Sequence, residues 1–86
     1  MMKEITIDCL GIDSAQSLHS VLAEKLEFPQ WYGANLDALY DLLTAISEDT
    51  RLILNHFDTL GSFRRGFRMV LNDAEDENPH FYVDIL

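Results

Sequence analysis

Among its 86 residues the chain has one cysteine, two prolines, four glycines and six lysines or arginines. Each scarcity excludes something. A lone thiol, Cys9, forms no intrachain disulfide, and small secreted domains usually depend on such bridges; a reducing, cytoplasmic setting is therefore expected. The glycines, at 11, 33, 61 and 66, are too dispersed for a phosphate-cradling loop or a dinucleotide fingerprint. Six bases against fifteen acids leave a formal charge of −9. That balance argues against a direct nucleic-acid binder, which needs Lys and Arg to neutralise phosphates. It argues equally against docking on an anionic membrane. No apolar run approaches the roughly 18 residues of a membrane span, and Met1–Asp8 lacks the apolar stretch of a secretory leader. What remains for so acidic a chain is a basic partner, a metal, or solubility alone.

What is present is ordinary globular material. Apolar residues make up 48% and charged residues 24%, and they alternate along the whole chain, which excludes disorder. The length predicts a single domain, residues 1–86, with a thin core. Ile5, Ile7 and Cys9 alternate with Thr6 and Asp8, predicting a strand over 5–10. Asp13 and Gln16 have capping-box spacing ahead of a helix over 14–26. Ala15, Leu18, Val21/Leu22 and Leu26 form its apolar stripe. Pro29 and Gly33 mark a loop. Asn35 can cap a second helix over 36–46, with Leu36, Leu39/Tyr40, Leu43 and Ile46 inward. A second strand is predicted over 51–54, a turn or short helix over 56–61, a third helix over 62–77 ended by Asn78-Pro79, and a last strand over 81–85. This order predicts a small two-layer α/β fold. Its three-stranded sheet is parallel, with helices packed on one face.

The residues that could carry chemistry are few. His19, His56 and His80 lack metal-ligand spacing and read as surface or hydrogen-bonded histidines. Cys9 reads as a buried, inert thiol. Asp37 and Asp41 alone make a poor divalent-cation site, so no metal, no cofactor and no enzymatic activity are expected. Those two aspartates are like charges at i, i+4, mildly unfavourable in an isolated helix, and residues 27–50 contain no Lys or Arg to offset them. They form either a solvated face or a negative ridge kept for a cationic partner. Beside them lies Trp31-Tyr32-Gly33. Either both aromatics face a partner, as interface anchors do, or Trp31 plugs the core and Tyr32 lies over the surface. Arg64, Arg65 and Arg68 crowd the start of the third helix, and Asp73, Glu75, Asp76 and Glu77 its end, both against the helix dipole. An intramolecular neutralising patch is the expected role of the arginines, with phosphate binding as the alternative.

The run Trp31-Tyr32-Gly33-Ala34-Asn35-Leu36-Asp37-Ala38-Leu39-Tyr40-Asp41-Leu42-Leu43-Thr44 closely resembles the central motif of the barstar family, intracellular inhibitors of barnase-type bacterial ribonucleases. Leu26-Glu27-Phe28-Pro29-Gln30 is similar to the family's join from helix to loop, and weaker similarity spans nearly the whole chain. The resemblance implies an inhibitor whose loop and helix plug a ribonuclease active site in a 1:1 complex, from a chain that is monomeric when free. Asp41 would stand where the RNA phosphate belongs, and Asp37 would pair with nearby basic groups. Trp31 and Tyr32 would cover the cleft around Gly33. Asn35 and Thr44 would add polar contacts, Tyr40 would border the interface, and Asp73, with Glu77 as a weaker candidate, would add a carboxylate from the last helix. Ala34 and Ile46 depart from the residues of the best-known member and bear on the partner's identity. The rival reading is an acidic interaction module of the same fold that binds a non-nuclease partner.

Overall fold

A computed structural model describes residues 1–86. The order is β1 (Lys3–Asp8), α1 (Ala15–Lys25), α2 (Leu36–Thr44), β2 (Thr50–Asn55), a single 3-10 turn (Phe57–Thr59), α3 (Arg64–Glu77) and β3 (Phe81–Ile85). The three strands are parallel in the order β1-β2-β3, and no helix is long and apolar enough to cross a membrane.

Register follows from the period of two. Ile5, Leu52 and Val83 stand side by side, as do Ile7, Leu54 and Ile85, and these rows face the helices. The opposite rows, Glu4-Arg51-Tyr82 and Thr6-Ile53-Asp84, stay exposed or half-exposed, with an Arg51–Asp84 ion pair of 3.3 Å across them. One buried face and one wet face make the fold two-layered. Leu18 and Leu22 of α1, Leu39 and Leu43 of α2, and Phe67, Leu71 and Ala74 of α3 close the core over the sheet. Cys9 lies fully buried beyond β1, where burial pushes its thiol pKa up, reinforced by the Asp8 charge. The strand expected over 5–10 thus ends at Asp8, and Cys9 stays on its buried face as an enclosed thiol, as expected.

Local chemistry moves several boundaries. The α1 cap is Ser14, whose Oγ accepts from the Ser17 N–H at 3.1 Å. Asp13 does not cap, because the same three-residue spacing is satisfied one position later. α2 stops at Thr44, two residues early: Ala45 and Ile46 bond only three residues back, to the Leu42 and Leu43 carbonyls, and the helix tightens rather than continues. Asn78, which ends α3, also donates from Nδ2 to the Leu43 and Ile46 carbonyls at 2.8 and 2.9 Å. One residue thus closes two helices, α3 through its backbone N–H to the Ala74 carbonyl and α2 through its side chain. α3 starts at Arg64 without a side-chain cap, and the Arg64 guanidinium turns back to the Leu60 and Gly61 carbonyls. Arg68 lies over the Phe57 ring, 5.3 Å from its centroid. None of the three α3 arginines pairs with a carboxylate, so two of them serve carbonyls and an aromatic ring instead of the expected neutralising patch.

Helices α2 and α3 pack directly on each other. At Gly66 a Cβ would come 2.9 Å from Leu36 Cδ1, the end of a side chain that would have to shift to admit it. At the far side of α3, Glu75 accepts from the Val83 N–H at 2.8 Å, satisfying a backbone donor on the edge strand.

Candidate interface for a basic partner

The site is built on the loop between α1 and α2 and on α2 itself. Asn35 caps α2: its Oδ1 accepts from the Ala38 N–H at 2.8 Å, and the helix starts at Leu36, one residue before Asp37. Asp37 then lies in the first turn, where the helix dipole favours a carboxylate. Asp41 follows one turn on. Both are exposed, and neither has an ion-pair partner. Thr44 continues their side of the helix, but its hydroxyl donates to the Tyr40 and Asp41 carbonyls. Tyr40 is half-buried against the core. The two carboxylates therefore stand as unpaired charge on one capped helix.

The loop is bracketed by two residues in the left-handed region, Glu27 and Ala34, with φ of 57° and 51°. Neither is glycine, so each costs about 1–2 kcal/mol, and the surrounding contacts must hold them. Between them Tyr32 N–H donates to the Pro29 carbonyl at 3.0 Å, closing a turn. The two aromatics then part. Trp31 is 76% exposed. Tyr32 turns inward, packs against Phe28 at 4.9 Å between ring centroids and meets His19 with its hydroxyl. The structure reverses the expectation in which Trp31 plugs the core and Tyr32 lies outside. It also fails the expectation that both stand free for a partner. Gly33 is exposed, and a Cβ there would crowd Asn35 Nδ2 at 3.1 Å.

A family model described as Barstar (barnase inhibitor) matches residues 2–85. The chain belongs to the Barstar family. A Bacillus subtilis (strain 168) protein named "Putative ribonuclease inhibitor YrdF" is 37% identical over 81 residues, covering 88% of this chain and 89% of that one.

In this member of the Barstar family, Trp31, Asp37 and Asp41 are all exposed, and the two carboxylates have no ion-pair partner. Asp73 and Glu77 stand apart on α3, both exposed. Asp73 shares a shallow groove with Arg65, Arg68, Met69 and Asn72. No cluster of three His, Cys, Asp or Glu side chains has metal-binding geometry. His56 and His80 are exposed and pair with Asp8 and Asp49 at 2.9 and 2.8 Å. The Asp8 carboxyl is held below its usual pKa by the Leu10 N–H, with help from His56.

The residue missed at the site is His19. It is 5% exposed and sits under the loop. A signal existed, since Ala15, His19, Leu22 and Leu26 follow the i, i+4, i+7, i+11 spacing of a buried stripe. Polar side chains on such a stripe are buried only when hydrogen-bonded, and the partner, Tyr32, lies too far along the sequence for spacing to reveal it.

Proposed function

We propose that this chain is an intracellular inhibitor of a barnase-type ribonuclease, binding one enzyme molecule through residues 31–44 with a carboxylate from α3. The observation that carries the reading is the pair Asp37 and Asp41, exposed and unpaired on a capped helix. A chain that needed these charges only for solubility could scatter them or pair them. Membership of a family of barnase inhibitors agrees with the same reading.

The mechanism is imitation of charge. A ribonuclease cleft that binds RNA phosphate concentrates positive side chains. Asp41 enters where the phosphate belongs, and Asp37 takes the neighbouring basic groups. Trp31 lies over the cleft wall. Tyr32, half-buried against Phe28 and His19, meets the enzyme with its exposed edge only. Asn35 has its Nδ2 directed to the Gly33 carbonyl at 3.4 Å, a long contact that leaves the amide free to serve the partner too. Gly33, Tyr40 and Thr44 complete the contact face, and Asp73 extends it, with Glu77 in a lesser part. A standard interface buries about 1,600 Å² in total. The remaining negative charge accelerates encounter with a basic enzyme, and salt screens that effect.

The test is inhibition of a barnase-type ribonuclease by the purified chain, with survival of cells that co-express the two. Stoichiometric inhibition, with an association rate that falls as salt rises, is the expected result. Failure to inhibit or protect against any ribonuclease of that type, alongside binding to an unrelated basic protein, would replace this reading with the interaction-module one.

A further inference from the structure

Residues 29–32 carry the outward Trp31, yet one hydrogen bond alone ties them to a distant part of the chain. It joins Tyr32 OH to His19 Nδ1 at 2.6 Å; the other hydrogen bond of this segment is the local turn to Pro29. His19 is correspondingly enclosed. Its ring lies 4.7 Å from Phe67 and 5.7 Å from Tyr32 between centroids. A cleft of ≈ 340 Å³ opens beside it, lined by Gln16, Ser20, Glu24 and Gln30 among others.

We propose that His19 is a positioning residue for the aromatic loop: it holds Tyr32 inward by its hydroxyl, thereby fixes Trp31 on the outside, and releases this hold when the imidazole takes up a proton. Burial pushes the Tyr32 hydroxyl pKa up to about 12, so the hydroxyl keeps its proton at neutral pH and can donate. Nδ1 then accepts, and the ring proton sits on Nε2. Proton uptake at Nδ1 takes the lone pair that accepts from the hydroxyl, so the Tyr32 O–H must turn away and loses its acceptor. The same uptake also buries a cation among Tyr32, Phe28 and Phe67.

Little around His19 would stabilise that cation. From α1 the nearest acid is Glu24, at the wet rim of the cleft. From the loop the facing groups are Phe28 and Tyr32. From α3 it is Phe67, while Arg64 and Arg68 are turned to the Leu60 and Gly61 carbonyls and to the Phe57 ring. Burial accordingly lowers the His19 pKa. A released loop exposes the ring and restores its ordinary value near 6.5, so acidification below that value favours release.

Trp31 is the one tryptophan, so its fluorescence anisotropy reports the loop in the free protein. Between pH 7.5 and 5 the parent's anisotropy should fall, with a midpoint matching the NMR titration of His19. The nitrogen spectrum at pH 7.5 should show the Nε2–H tautomer. His19→Ala should show the released, low anisotropy at every pH. His19→Gln, which can still accept from the hydroxyl, should hold Trp31 and lose the pH step. Should His19→Ala fail to fold, Tyr32→Phe keeps the ring packing, removes the hydroxyl, and should release Trp31 at pH 7.5. A folded His19→Ala or Tyr32→Phe with the parent's anisotropy would overturn the proposal. So would a pH step that survives in His19→Gln, since His56 or His80 would then be its source.

The consequence for affinity rests on the inhibitor reading. Against a barnase-type ribonuclease, His19→Ala should dissociate about tenfold faster or more with an unchanged association rate. If the parent itself bound no such enzyme, the inhibitor reading would fail while the Trp31 measurements would still decide the role of His19.

Discussion

The loop of residues 27–34 and helix α2 adjoin in sequence, but they are held in opposite ways. The helix is held by its own backbone, the Asn35 cap, the Asn78 amide at its far end and an apolar stripe, which leaves Asp37 and Asp41 free of partners. The loop has no regular hydrogen bonding. It carries two left-handed residues, and its shape depends on a tyrosine turned inward onto a buried histidine. Charge is displayed here on a regularly hydrogen-bonded element that does not use the carboxylates to hold itself. The exposed indole is carried by a loop whose neighbouring tyrosine is tied to a buried histidine.

If this contrast is right, mutations on the two elements separate affinity from stability. The largest effect is expected from Asp41→Ala. Removing one partner of a charge pair buried in the complex costs about 3 kcal/mol or more, roughly a hundredfold or more in Kd with the ribonuclease. Thermal stability should not fall, because nothing in the free chain pairs with Asp41. Calorimetric or kinetic titration, alongside a melting curve, measures both. Tyr32→Ala should differ in kind, destabilising the free chain by about 2–3 kcal/mol, less than a fully buried aromatic, and weakening binding as well. A Tyr32→Ala protein with the parent's melting curve would break the comparison.

Asn35→Ala should cost about 1 kcal/mol of stability through loss of the cap, readable by urea denaturation. Its effect on affinity should be smaller than that of Asp41→Ala. The smallest effect is on pH. The folded His19 pKa lies below its unfolded value, so its contribution is complete above about 6.5 and is lost as pH falls from there toward the folded value. The parent should lose stability between pH 7 and 5, and His19→Gln should lose less. The Asp8 carboxyl is shifted the same way, but as an acid it acts near and below about pH 4, outside that window.

Much of this architecture was legible in the residues. Alternation at Ile5-Ile7-Cys9 and at Phe81–Ile85 gave strands of the right face, and Asn35 gave the start of α2. Boundaries slipped where two equivalent caps competed, as at Asp13 and Ser14. They slipped again where a tertiary contact intervened, as when Asn78 took the carbonyls at the end of α2. At the site, Asp37 and Asp41 were legible because an uncompensated like-charge pair stands out within a single helix. The inward turn of Tyr32 was not, because it depends on a histidine thirteen residues away. Hydrophobicity also ranks tryptophan as the better core residue of the two. The α3 arginines misled for a similar reason, since their carbonyl and aromatic partners carry no charge to pattern.

Glu75 has a consequence of a different kind. Parallel sheets of three strands have two open edges, and an open edge is a template on which another chain can add a strand. On β3 the Val83 N–H is already taken by the Glu75 carboxylate. An incoming strand would find that donor occupied and would meet the acidic group holding it. The carboxylate that ties α3 to the sheet therefore also guards the edge against fibril-like growth, using an acid where edges more often use lysine or proline.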